Sequence, residues 1–292
     1  MTALSISERA TARPRREAFY RARTSAAAIP AIVLVIVMVG PFVWLACLSF
    51  VSEGHLSLAN YQRMIDNPSY WKIIVATFQL SAIVSILTVI LGYPTAYLIK
   101  LLPPRLATIA LGCVLVPFWT SLLVRTYAWM VLLQRNGVIN DALIALHIVD
   151  TPLRMANTMG AAVVGMVHIM LPFLILPLYA SMKAIDPDLT RAAAGLGASP
   201  TRSFFQVFLP LSLPGVFAGM ILVFVLCLGF YVTPQLLGGG NVVTISMKIQ
   251  HNVAMYADWG AASALGVILL LAIALIPLVA KAMGAAYAWR MR

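Results

Sequence analysis

Six long apolar runs, near residues 29–51, 73–99, 106–131, 158–182, 214–237 and 261–283, leave few options for the fold. Each is long enough for a helix to cross the hydrocarbon layer, which takes about 20 residues at about 1.5 Å per residue. The prolines, glycines and threonines spaced through them are tolerable in spans whose freed backbone groups find partners within the protein. Composition agrees, with 62% hydrophobic and 10% charged residues in 292, where a soluble domain is roughly half apolar and a quarter charged. None of the runs alternates apolar and polar residues as a membrane barrel strand must. The expectation is an all-α membrane protein of six transmembrane helices.

Charge sets the orientation. The chain carries 20 Lys and Arg against 9 Asp and Glu. With the N-terminus in the cytoplasm, 14 of the basic residues fall inside and 6, among them Arg63, Lys72, Arg125 and Lys248, fall outside or in the outer spans. That bias satisfies the positive-inside rule with both termini cytoplasmic. The basic tail between Arg9 and Arg23 lies directly before a span, where anionic headgroups attract it more readily than nucleic acid would. The organisation expected is a cytoplasmic tail at 1–28, a first span and external segment at 29–72, a five-span core at 73–283, and a C-terminal tail at 284–292. The first span is too long for a cleavable signal and is expected to remain as an anchor.

One polar interruption, from Ile185 to Pro210, falls on the cytoplasmic side and reads as two short helices joined by a turn. Asp186 is suited to cap the first, with Pro187 at its first position. Gly195 and Gly197 offer a stop. Ser199 and Pro200 repeat the opening, and Pro210 is expected to end the second helix by withholding a backbone donor. Phe204, Phe205, Phe208 and Leu209 make that second helix too apolar to stand free in water.

Ala192-Ala193, Gly197 and Val207-Phe208-Leu209-Pro210 resemble the cytoplasmic "EAA" loop of ABC importer permeases of the binding-protein-dependent type I, MetI-like kind. Gly92-Tyr-Pro-Thr-Ala-Tyr97 resembles the start of the core module of the same family. The resemblance implies coupling helices, within a loop at 183–213, that dock in a cleft of a separate ATPase. Asp186, Arg191, Ala192, Ala193, Gly197, Ser199, Arg202, Phe205 and Pro210 would carry that contact. Arg191 stands where the family pattern has Glu, a reversal of charge. The resemblance further implies an ABC ATPase dimer as partner, a second homologous permease subunit or a second copy of this chain, and a periplasmic solute-binding protein. The setting would be the bacterial inner membrane.

Pro117-Phe-Trp-Thr-Ser121, Val124-Arg-Thr-Tyr-Ala-Trp129 and Gly229-Phe-Tyr-Val-Thr-Pro-Gln235 look like the polyamine-type branch of these permeases, the spermidine and putrescine transporters. Trp119, Thr120, Arg125, Tyr127, Tyr231, Thr233 and Gln235 are the candidates for the substrate pathway. A straight helix from Arg105 places Arg125 about 30 Å along, near the outer face. There it either snorkels to the interface beside Tyr127 and Trp129 or lines the path. External acids such as Glu53, Asp66, Asp141, Asp150 and Asp258 would attract a polycation, and aromatic faces would hold it. Arg125 would oppose it. Another small solute, amino-acid-derived, opine-like or a phosphonate, is the alternative cargo.

No Gly-x-x-x-x-Gly-Lys-[Ser/Thr] occurs, so MgATP is expected on a partner subunit, with no cofactor in this chain. No catalytic constellation or metal-ligand spacing is visible. The four histidines are scattered, and His168 in the fourth run is expected to hydrogen-bond a neighbouring helix. Cys47, Cys113 and Cys227 read as small buried hydrophobes. The runs hold no carboxylate, which counts against a stand-alone proton- or sodium-coupled carrier.

Overall fold

The computed structural model describes residue 30 and residues 32–52 and 54–290. The basic tail at 1–28, Glu53 and Arg292 lie outside the described residues. Five helices are long and apolar enough to cross a membrane by themselves: α1 (Ile32–Ser49), α3 (Pro68–Leu101), α7 (Met159–Lys183), the continuous helix Pro200–Leu228, and α13 (Trp259–Arg290), whose apolar part ends at Val279. A sixth span is a bent pair. Between them stand a short hairpin (β1, Val51–Ser52; β2, His55–Leu56) and shorter helices, including α2 (Ala59–Asp66), α6 (Val138–Ala145) and α12 (Ile245–Tyr256).

The core forms where α3, α7 and the long fifth span pack on one another. Leu174 of α7, fully buried, is its pivot. A Cβ added at Gly92 of α3 would stand 2.6 Å from Leu174 Cδ2, and one at Gly219 would stand 2.7 Å from Cδ1. Lipid tails are as apolar as leucine, so spans associate through close packing, and small residues at the contact permit it. α1 is different: its side chains from Ile32 to Val39 are all exposed within this chain.

Two expectations about the spans are corrected. The third run is not one straight helix: α4 (Pro104–Leu115) passes through a 3-10 turn (Val116–Trp119) and then bends by 94° into α5 (Leu122–Leu132). Pro117 removes a donor near the break, and Thr120, in extended conformation, redirects the chain. Counting residues along a straight axis therefore misplaces Arg125.

The fifth span does not open at Pro214, and Pro210 does not end a helix. α9 (Pro200–Ser203) continues through a π-helical turn (Phe204–Phe208) into α10 (Leu209–Leu228), with Pro214 inside it. The Leu209 N–H reaches back five residues to the Phe204 carbonyl. This wide turn carries the helix up to Pro210, which has no N–H to place. Cys47 and Cys113 are exposed on the outside of the chain, while Cys227 is buried.

The ends of α3 define the two faces of the bundle. Its 34 residues span about 50 Å. Tyr70, in its first turn, lies beside Lys248 of α12, and Tyr97 and Lys100, in its last turns, meet Phe204 and Phe208. Thus α12 and the 186–208 hairpin occupy opposite ends of the molecule.

A candidate coupling hairpin and two broken spans

The polar interruption folds as its residue types dictate. The Asp186 carboxylate accepts the Asp188 N–H at 2.9 Å and opens α8 (Pro187–Gly195). The helix closes on Gly197 at φ +88°, where a side chain would be strained. The Gly197 N–H bonds the Ala194 carbonyl at 2.9 Å and the Ala198 N–H bonds the Ala193 carbonyl at 3.0 Å. These are the paired bonds of a Schellman cap. The Ser199 hydroxyl then accepts from the Arg202 N–H at 3.3 Å to start α9.

No residue of α8 is buried. Arg191, Ala192, Gly197, Ser199, Arg202, Phe205 and Pro210 all face outward, with Phe205 59% and Leu196 90% exposed. Leu196 and Phe205 thus leave large apolar side chains in the open on a charged hairpin. Arg191 Nη1 pairs with Asp188 Oδ1 at 2.9 Å on the solvent side.

An aromatic seam joins the hairpin to the core. Phe204 meets Tyr97 edge-on at 5.0 Å, Phe208 lies 5.1 Å from Tyr97, and Lys100 Nζ sits 4.1 Å above the Phe208 ring. One turn deeper, the Tyr93 and Ser212 hydroxyls are 2.9 Å apart. A cleft of about 320 Å³ remains between α3 and the hairpin, next to Thr190 and Ser203. Because α9 runs unbroken into the fifth span, a force on the hairpin acts on that span directly.

The second locus is where the third and fifth spans break. The long helix ends at Leu228, and after Gly229-Phe230 the chain re-forms as α11 (Val232–Leu237), which packs on α5 and α7. Thr126 of α5 and Thr233 of α11 are fully buried with their hydroxyls 3.2 Å apart. Gly165 of α7 lies beneath, and a Cβ there would meet Thr233 Cγ2 at 2.9 Å and collide with Leu237. Nearby, Trp129 Nε1–H donates to His168 Nδ1 at 3.1 Å, the interhelical bond expected of that histidine.

Of the pathway candidates, the structure brings Arg125, Thr233 and Tyr231 to adjoining segments. Trp119, Thr120, Tyr127 and Gln235 instead face the outside of this chain. Arg125 keeps Nε buried without a partner among the described residues. Sequence reasoning missed Thr126, Gly165 and Ser212. A single hydroxyl or glycine in an apolar run carries no signal until its cross-helix neighbour is known.

A bundle of broken and continuous spans, with a helical hairpin issuing from the root of one of them, defines a transport permease. Residues 10–292 match the model of the binding-protein-dependent transport system inner membrane component, and the chain belongs to that family of ABC importer permeases. It is 34% identical over 223 residues to the spermidine/putrescine transport system permease protein PotB of Escherichia coli strain K12, covering 76% of this chain and 81% of that protein. Its fold matches a bacterial ABC transporter involved in import of the acidic polysaccharide alginate, with TM-score 0.71, 16% identity, and coverage of 94% and 99% of the two chains. The alginate transporter in complex with an alginate pentasaccharide-bound periplasmic protein matches at TM-score 0.70, 16% identity, and 92% and 96% coverage. The protein is thus an all-α, multi-pass inner-membrane permease.

Proposed function

We propose that this chain is the permease subunit of an ATP-driven importer of polyamines such as spermidine and putrescine. The observation that carries the cargo is its 34% identity to PotB over three quarters of its length. The fold neighbours, at 16% identity, speak only to architecture. A periplasmic binding protein delivers the polyamine at the α2/α12 end. The permease pairs across the membrane with a second subunit of the same fold.

The 186–208 hairpin docks in an ATPase of the partner dimer, which binds MgATP; this chain supplies Leu196, Phe205, Arg191 and Arg202 to the contact. The termini lie on the hairpin's cytoplasmic side, a placement that the distribution of basic residues supports. When the two ATPases close, the hairpin moves, and the unbroken helix from Pro200 to Leu228 carries that motion to the break at Gly229. There α11 shifts against α5 and α7. Inward- and outward-open packings need differ by only a few kcal/mol for nucleotide to select between them.

Reconstitution with the ATPase, the second permease and the binding protein tests this reading. ATP-dependent uptake of labelled putrescine is expected, and none without ATPase. Ser199→Cys should react with an impermeant maleimide from the cytoplasmic side only. Uptake without ATPase, or labelling from the periplasm, would refute it.

A further inference from the structure

At the end of the bundle opposite the hairpin, Lys248 Nζ stands 5.7 Å from the centroid of the Tyr70 ring and 5.8 Å from that of Tyr256. Both distances fall within the roughly 6 Å over which a ring face attracts an ammonium. Among the described residues the ion pairs are Arg63–Asp258 and Arg191–Asp188; Lys248 is held by rings instead. The two walls differ in kind. Tyr70 is 7% exposed and fixed in a small core with Met64, Ile245 and Leu265. Tyr256 is 65% exposed, ends α12, and meets the His251 ring edge-on at 5.5 Å.

The outer wall is held in place at a backbone cost. Ala257 adopts the left-handed conformation at φ 50°, which a residue with a Cβ takes only under strain. That turn passes the chain from Tyr256 to Asp258. Asp258 Oδ1 accepts the Ala261 N–H at 2.9 Å to cap α13, and its Oδ2 pairs with Arg63 at 3.1 Å. The strained residue is therefore anchored on its Asp258 side, and Tyr256 stands at the last turn before it.

We propose that Tyr70 and Tyr256 form a cage for a primary alkylammonium group, filled by Lys248 in the resting chain and taken over by an ammonium of the incoming cargo. The lysine side chain is a butylammonium, the group that terminates a linear diamine, so rings that hold the one hold the other. Displacing Lys248 frees a helix already tied to the pathway. Ser246, two residues before it, donates its hydroxyl to the Phe230 carbonyl at 2.8 Å, at the break of the fifth span. The adjoining Ile245 N–H is bonded to Thr77 Oγ1 of α3 at 2.9 Å. Exchange at the cage is thus felt where α11 departs from the span. The identity of the cargo rests on the polyamine reading; the cage does not.

The test is acetylation of lysines by an amine-reactive ester in membrane vesicles carrying the complete transporter, read by peptide mass spectrometry. Exposed Lys72 serves as the internal standard. Lys248 should react about fivefold more slowly than Lys72, as expected for roughly 1 kcal/mol of ring contact. Added 1,4-diaminobutane consumes part of the ester with its own amines and slows both lysines, but it should raise the rate of Lys248 relative to that of Lys72. Sodium chloride of equal ionic strength should leave that ratio unchanged. Tyr256→Ala should give fast, unresponsive labelling, and Tyr256→Phe should restore the protected, diamine-sensitive behaviour. Lys248 reacting like Lys72 in the native chain, or ignoring the diamine, overturns the cage even if putrescine is transported. A protected and diamine-responsive Lys248 sustains the cage even if putrescine uptake fails, in which case the cargo reading falls alone.

Discussion

Thr126 Oγ1 and Thr233 Oγ1 lie 3.2 Å apart in the only place where the two interrupted spans touch through polar atoms among the described residues. Thr126 also bonds the Leu122 carbonyl at 2.9 Å. Its one proton is committed there, leaving Thr233 as donor across the contact. The two threonines are therefore not equivalent. Thr233→Val removes a donor and should cost about 1 kcal/mol. Thr126→Val strands the Thr233 hydroxyl in an apolar site and should cost more. The double variant should be less destabilised than the sum. Thermal unfolding of the detergent-solubilised protein reads all three, and simple additivity would contradict the assignment.

The clasp on Leu174 makes a second prediction. An alanine at Gly92 or Gly219 places a methyl about 1 Å inside ordinary contact with a fully buried leucine. Overpacking of this kind costs about 1–3 kcal/mol. In a Leu174→Ala background the added methyl enters vacated space, so the same substitution should become neutral or stabilising. A double-mutant cycle in thermal stability would show coupling of opposite sign to either single loss.

Gly197 isolates backbone geometry from packing. Its φ of +88° is open only to glycine at low cost, yet nothing stands within 4 Å of a methyl added there. Gly197→Ala should therefore leave membrane insertion and thermal stability close to native while re-aiming α9 against α8. Putrescine uptake and cargo-stimulated ATP hydrolysis in the reconstituted system should fall together. Gly197→Asn, which tolerates the left-handed region better, should retain more of both.

Hydropathy makes the spans legible, because crossing a bilayer constrains composition over some 20 consecutive residues at once. The hairpin is equally legible: Asp186-Pro187, Gly197 and Ser199-Pro200 form the caps and turn that those residue types prescribe locally. Proline misleads for a related reason. Pro210 and Pro214 would stop helices in water, but here a π turn and a surrounding bundle absorb the missing donor, so the helix runs on. The bend at Thr120 is invisible in the sequence because apolar composition continues across it. Thr126 with Thr233, and Lys248 with Tyr70, are relations between segments more than 100 residues apart, and residue order does not state them.

Arg191, where the family pattern carries a glutamate, makes the sharpest test of the docking contact. Its pair with Asp188 leaves both side chains mostly in solvent, at 77% and 73% exposure. Exposed pairs one turn apart on a helix contribute a few tenths of a kcal/mol. Arg191→Glu should consequently leave insertion and thermal stability unchanged. It should nevertheless weaken co-purification of the ATPase and uncouple its hydrolysis from uptake, because in the proposed docking a cleft matched to arginine would offer negative charge or carbonyl oxygens to position 191. The variant Asp188→Arg with Arg191→Glu rebuilds the intrahelical pair in reverse and separates the two roles. Recovery of ATPase binding in it would mean that the helix's own pair is what counts; persistent loss is expected, since position 191 would still present the wrong sign.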